Sequence, residues 1–381
     1  MNDTVEGDLS GPGSLNSLEI IFVATLSILI AIANVLMGCE LDLNVVFSTI
    51  KRPIAPVIGF FTQFVLLPLI GYMVAQLILV PRELYSFALG LFVSGCVPSG
   101  GASNFWTLLL DGNVHLSVTM TFISMIASIF MIPFWMKVLG YQFLQNFSET
   151  SVKVPYRNIM TSLIILIVPL WIGIGIAKKW PNLASRARRL LRPFIIFVLI
   201  FVITFGTLAN LHMFKEVTWP AVFSGFLLPF GGFMFGCLTS IILGQHPKDV
   251  TAIAIETGVQ NTGIAIMILK FSFPNADTSI LMPVIVACST PFPLLMSYGV
   301  HKLVKFAKSK SASVNAEKES RTVSFNAAVS SPRTKSSSVL YSEKDDHERL
   351  LINKSSESDL EKVEYMERML EQVVLPGVIP E

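Results

Sequence analysis

Glu256 is the residue with the most chemistry to offer. It stands in the run Glu256-Thr257-Gly258-Val259-Gln260-Asn261-Thr262-Gly263, within a stretch otherwise apolar enough to lie inside a bilayer. A charged side chain at mid-membrane costs at least ~2.5–3.5 kcal/mol on insertion scales. No Lys or Arg lies in the middle of another apolar stretch to neutralise it. Glu256 must therefore be protonated, face water or meet a soluble cation. On a helix, Gln260 falls one turn further along the same face, and Asn261 is adjacent. Oxygen donors gathered round one carboxylate suit a small hard cation. Sodium is the natural choice, since no sulfur or imidazole ligand accompanies them. A proton-coupled carboxylate is the alternative these residues leave open.

Gln63 is a further oxygen donor in an apolar stretch, as are Ser117, Thr119 and Thr121. Ser117 and Thr121 are four residues apart and share a helix face. Isolated Ser and Thr in membrane helices commonly bond their own i−4 carbonyl, so spacing alone does not commit them to an ion. His115, His212 and His246 fall in loops or at the ends of apolar stretches and read as interfacial. Cys39, Cys96, Cys237 and Cys288 lack metal-ligand spacing and read as packing residues. The sequence has no phosphate-cradling glycine loop. An ion gradient is the expected energy source.

The elements that must position these residues follow from composition. Of 381 residues, 52% are hydrophobic and only 14% charged, against ~25% charged in a soluble protein. Residues 306–381 hold 24 of the 54 charges, so the first 305 lack the polar surface of a soluble fold. That excludes a cytosolic enzyme, a secreted disulfide scaffold and a nucleic-acid binder; a net charge of +2 is also too small to imply a nucleic-acid partner. Nine stretches are long and apolar enough to span a bilayer, at 18–38, 54–79, 84–110, 116–136, 157–178, 193–212, 217–243, 251–273 and 279–301. The first follows an acidic segment (Asp3, Glu6, Asp8) and reads as a span, not a cleaved signal.

An odd number of spans puts the two ends on opposite sides. With the N-terminus outside, inner loops and flanks carry eleven Lys and Arg and outer ones six, so the expected orientation is N-out and C-in. The basic stretch Arg186 to Arg192 also suits contact with anionic lipid. Two sequons, at Asn2 and Asn146, would both face outward. The expected layout is an extracellular segment 1–17, a transmembrane domain 18–305 and a cytoplasmic tail 306–381.

The second span contains Leu66-Leu67-Pro68-Leu69-Ile70-Gly71-Tyr72 and the seventh Leu227-Leu228-Pro229-Phe230-Gly231-Gly232-Phe233, 161 residues later. In each, glycine and an aromatic follow Leu-Leu-Pro at the same offset. Five spans lie between them, so the copies run in opposite directions. Spans 1–4 and 6–9 are expected to be inverted repeats. The third span of each half is interrupted by small and polar residues, Pro98-Ser99-Gly100-Gly101-Ala102-Ser103-Asn104 in one and Glu256 to Gly263 in the other. Small residues also permit close helix packing, but that does not account for Glu256 lying in one of these runs. Paired interrupted spans mark a transporter's central site, where freed carbonyls and helix ends meet.

These residues resemble those of the sodium/bile acid cotransporter family. The matching pieces are Gly38-Cys39-Glu40, Gln63 with Pro68-Leu69, Cys96 to Asn104, Val154-Pro155-Tyr156 and Glu256 to Asn261, within 18–305. The resemblance implies an all-α polytopic membrane protein with nine transmembrane helices, inverted repeats and two broken helices that cross. It implies a panel domain of spans 1, 5 and 6 and a core domain of spans 2–4 and 7–9. One sodium site is implied at Ser103, Asn104, Ser117, Thr121 and Glu256, and a second at Gln63, Glu256 and Gln260 with backbone oxygens around Val259. Pro98, Gly100, Gly101, Gly258 and Asn261 would shape the breaks. The implied function is import of an amphipathic organic anion with two Na+ across the plasma membrane, the anion being a bile acid, a steroid sulfate or similar. Other readings are a sodium-coupled carrier of a different small organic acid and a non-transporting receptor or scaffold on the same fold.

The tail from 306 changes character. Residues 309–342 are rich in Ser and Ala and read as disordered. Arg321-Thr322-Val323-Ser324 resembles a basic-directed phosphorylation site, and Ser358 to Val373 an amphipathic helix.

Overall fold

The computed structural model describes residues 17–145, 156–209, 215–273, 277–307 and 310. Both sequons and the tail motifs lie outside them. The described chain is all-α, with one isolated bridge between two loops. Its helices are α1 (Ser17–Glu40), α2 (Leu43–Ile50), α3 (Ile54–Arg82), α4 (Tyr85–Cys96), α5 (Ala102–Leu109) and α6 (Val114–Leu144). There follow α7 (Tyr156–Lys179), α8 (Pro181–Ala209), α9 (Trp219–Ile242), α10 (Pro247–Gly258), α11 (Thr262–Ser272) and α12 (Thr278–Ala307). Residues to Leu294 form one compact unit, which holds every site residue described below; a second unit begins at Leu295.

This is a polytopic membrane fold. Among the described residues, α3, α6, α9 and α12 are long and apolar enough to cross a bilayer, and α1 with α2 does so as a bent pair. The polarity is inverted relative to a soluble protein. Phe130, Trp219 and Ile242 are 71%, 84% and 80% exposed, while Thr62, Gln63, Ser103, Ser117, Glu256 and Thr257 are buried. Apolar atoms face lipid, and polar ones that lipid cannot solvate are gathered inside.

The helix ends have local causes. The expected first span runs on as α1 and then turns by 72° into α2, a bend the hydropathy pattern did not mark. Asp42 causes it by capping the new helix, its Oδ1 accepting from Asn44 N at 2.9 Å. The Arg188 guanidinium donates to the Cys39 carbonyl at 2.9 Å, satisfying one terminal acceptor of α1. Glycines bring α1 and α7 together: a Cβ on Gly38 would stand 2.9 Å from the Cα of Gly173.

α3 is not a uniform α-helix. It contains a wide π-type turn at Thr62–Leu66, in which the Leu67 N–H bonds the Thr62 carbonyl five residues back. Such turns re-aim side chains, and Gln63 sits in this one. The span expected at 84–110 is two helices, α4 and α5, separated by residues 97–101; that at 251–273 is likewise α10 and α11, separated at 259–261.

Candidate ion and substrate site

The two interruptions cross and bond to each other. Ser99 and Gln260 form an antiparallel bridge. The Gly100 N–H donates to the Val259 carbonyl at 2.9 Å and the Asn261 N–H to the Pro98 carbonyl at 2.9 Å. Ser99 Oγ donates to the same Val259 carbonyl at 3.1 Å. The approach leaves little room: a Cβ on Gly100 would lie 2.9 Å from the Gln260 carbonyl oxygen. Backbone groups freed by breaking two helices thus satisfy one another where lipid cannot.

Glu256 lies beside this crossing, two residues before the end of α10, and is 1% exposed. Around its Oε1 stand Ser103 Oγ at 2.6 Å, Ser117 Oγ at 2.5 Å and Thr121 Oγ1 at 2.9 Å. Thr121 Oγ1 is also 3.1 Å from Oε2. Asn104 Oδ1 completes the group, 2.9 Å from Ser117 Oγ and 3.3 Å from Thr121 Oγ1. Three elements supply these oxygens: α5, α6 and α10. All five expected members of the first set are therefore in one place. Thr119 is not with them; its hydroxyl bonds its own i−4 carbonyl, at His115, at 2.7 Å.

The chemistry of the group follows from counting protons. Ser103, Ser117 and Thr121 carry one hydroxyl hydrogen each, yet their close oxygen neighbours outnumber three. The hydrogen-bond partners of Glu256 are neutral hydroxyls, and among the described residues no Lys or Arg stands opposite its carboxylate. Buried oxygens in excess of the hydrogens between them fit a small hard cation.

In the second expected set, Gln63 and Gln260 are joined directly by a hydrogen bond. Gln63 Nε2 donates to the Val97 carbonyl at 2.9 Å and to Gln260 Oε1 at 3.0 Å. Gln260 Nε2 donates to the Thr257 carbonyl at 2.7 Å. Gln63 Oε1 is buried without a hydrogen-bond partner. Gln63, Ser99, Ser124 and Glu256 share the wall of one small cavity. The Val259 carbonyl, by contrast, already accepts two hydrogen bonds. The orphaned Gln63 oxygen fits a cation here; the Val259 oxygen is committed in this conformation.

Sequence reasoning missed four participants. Ser99 is one, its hydroxyl stitching the crossing. Thr62 and Thr257 are a pair, hydroxyl to hydroxyl at 2.7 Å, tying α3 to α10. Thr107 is the last, 3.2 Å from Ser117. Thr62 and Thr107 are lone hydroxyls in apolar stretches, and Ser99 and Thr257 stand inside the interrupted runs, where nothing in the sequence tells which hydroxyl meets which partner.

On the other side of the crossing is a cavity of about 980 Å³, including its open mouth. Ile30, Met37, Trp106 and Leu294 give it apolar walls, and Asn34 and Thr290 are polar. The N-terminal residues of α5 (Ala102) and α11 (Thr262, Gly263) also line it. Helix N-termini favour negative charge.

Comparison with known proteins places this architecture. The model of the Sodium Bile acid symporter family matches residues 27–217. The chain belongs to that family. The symporter family chain is 29% identical over 283 residues to the ileal sodium/bile acid cotransporter of Oryctolagus cuniculus, covering 74% of this chain and 76% of that one. It is 28% identical to the sodium-dependent organic anion transporter of Bos taurus, over 71% of this chain and 70% of that one. It is 30% identical to the P3 protein of Mus musculus, over 66% of this chain and 52% of that one. Membership makes its role transport coupled to sodium.

Proposed function

We propose that the protein is a nine-span symporter of the plasma membrane, N-terminus outside. It carries an amphipathic organic anion of the bile acid or steroid sulfate kind into the cell with two sodium ions. The observation that carries this reading is the placement of Glu256: a buried carboxylate with surplus oxygens around it, bonded through its own helix to a crossing whose other side opens into an apolar cavity.

The first sodium would take Ser103, Asn104, Ser117, Thr121 and Glu256. The second would take Gln63, Glu256 and Gln260, with a backbone oxygen near Val259. Filling them neutralises Glu256 and holds α5 and α11 in the arrangement that presents both helix N-termini to the cavity. Sodium and anion binding are then coupled, and the coupling is reciprocal. The apolar walls suit a hydrophobic body and the helix ends an acidic head. Negative interior potential, worth ~2.3 kcal/mol per charge per 100 mV, drives two cations with one anion inward.

The repeats supply the moving parts. α1, α7 and α8 would form a panel against a core of the remaining spans; Gly38 on Gly173 and Arg188 on Cys39 are contacts within that panel. Rocking the panel on the core exposes the cavity to either side in turn. The inverted repeat has support in the packing, since Leu67 lies against Gly232 as Leu228 lies against Gly71.

Uptake of taurocholate, a steroid sulfate and a set of small organic acids, each with sodium and with choline in its place, tests the reading. Sodium-stimulated uptake of the amphipathic anions is expected. Stimulation by the small acids alone would move the substrate to that class, and no sodium-stimulated uptake at all would leave a receptor or scaffold.

A further inference from the structure

Proline at position 68 removes a backbone donor from the middle of α3. In a continuous helix the N–H of residue 68 would bond the carbonyl of Phe64. The structure shows what replaces it: the indole Nε1–H of Trp135, on α6, donates to the Phe64 carbonyl at 2.6 Å. Trp135 is buried, at 7% exposed. The second repeat repeats the arrangement with different chemistry. Pro229 likewise leaves the carbonyl of Gly225 without its helical donor, and Ser289 Oγ, on α12, lies 3.0 Å from that carbonyl, its one hydrogen shared with the Val286 carbonyl at 2.9 Å. Each half fills the gap made by its own proline with a side chain from another helix.

The two repairs differ in what lies next to them. Gly225 and its neighbours carry none of the oxygens described above. Phe64 directly follows Gln63, inside the wide turn Thr62–Leu66. The Leu67 N–H is spent on Thr62, and Pro68 has none to give, so neither of these two positions donates to Gln63 or Phe64. Trp135 supplies the missing tie from outside. That tie holds the turn in the register that lays the Gln63 amide on Val97 and Gln260 and leaves Gln63 Oε1 buried and unpaired.

We propose that Trp135 is a positioning residue for the ion site containing Gln63, acting by replacing the backbone donor that Pro68 lacks. The proposal rests on the sodium-coupled reading above. The indole touches no ion; it fixes the backbone that carries the ligand.

Thermal stabilisation of the purified full-length protein by sodium, with choline as the balancing cation, tests it without needing the substrate. In W135F the sodium concentration for half-maximal stabilisation should rise about fivefold or more, the scale of one lost hydrogen bond. P68A restores an N–H at position 68 that can reach Phe64, so W135F added to P68A should shift the midpoint less than about twofold relative to P68A alone. That non-additivity is the signature of one shared acceptor. S289A, which removes the equivalent tie in the other repeat, should lower the melting temperature while leaving the sodium midpoint in place. Should W135F alone fail to fold, P68A and P68A/W135F still make the comparison. An unchanged midpoint in W135F, or an equal shift in the P68A background, overturns the proposal and leaves sodium coupling intact. A wild-type protein that sodium does not stabilise overturns the sodium reading itself.

Discussion

Leu67 rests on Gly232, its Cδ1 3.2 Å from where a Cβ would be, and the relation is returned by Leu228 on Gly71 at 3.5 Å. The leucine before each proline thus fills the space that the other motif's glycine leaves open. The two glycines are not equally crowded, however. A Cβ on Gly232 would also lie 2.7 Å from the Thr257 carbonyl oxygen, whereas the nearest atoms to one on Gly71 are at ordinary contact distance. G232A should therefore cost about 1–3 kcal/mol, the usual price of overpacking, and G71A much less. Thermal unfolding in detergent reads both, and equal losses would contradict the geometry.

Replacing the carboxylate isosterically isolates its charge. Glu256→Gln keeps the shape and the oxygen near Ser103 and Ser117 but removes the negative charge that a cation needs. The variant is expected at the cell surface in near-normal amount, with sodium-stimulated uptake of the wild-type substrate almost abolished. Retained sodium dependence would remove Glu256 from the coupling mechanism.

Two hydroxyls on one helix should behave differently. Ser117 Oγ lies 2.5 Å from Glu256 and 2.9 Å from Asn104, while Thr119 bonds only its own helix backbone. Hydrogen bonds to charged groups contribute ~1.5–3 kcal/mol. S117A should raise half-saturating sodium by about tenfold or more, and T119A should leave it where it is. Uptake measured over a sodium series separates them.

The cavity makes a prediction of its own. Trp106 lines it without contributing an oxygen to the ion group. Trp106→Ala should weaken the half-saturating concentration of the organic anion about tenfold, through lost apolar contact. Sodium-dependent thermal stabilisation without the anion should be unaltered. If both constants move together, the wall and the ion group are one structural unit.

Much was legible in the sequence because lipid imposes a severe rule. A helix in a bilayer must be apolar for about twenty residues, so Glu256, Gln63 and the interrupted runs at Pro98–Asn104 and Glu256–Gly263 stand out as exceptions. The expected first ligand set, Ser103, Asn104, Ser117, Thr121 and Glu256, is assembled in the structure as one oxygen cluster. What was not legible shares one physical cause. Thr62 and Thr257, Ser99 on Val259 and Trp135 on Phe64 are contacts between residues 71 to 195 positions apart. A lone hydroxyl or indole has no periodicity and no fixed spacing to its partner.

From sequence alone came the membrane class, the axial position of one expensive charge and the doubled Leu-Leu-Pro motif, because hydropathy and offset are properties of the chain taken in order. Only the tertiary structure decided which oxygens face Glu256, that Thr119 turns away, and that an indole from α6 stands in for a missing amide in α3. Those depend on how helices cross, and the crossing is settled by side-chain packing and by backbone groups that must find partners lipid cannot supply.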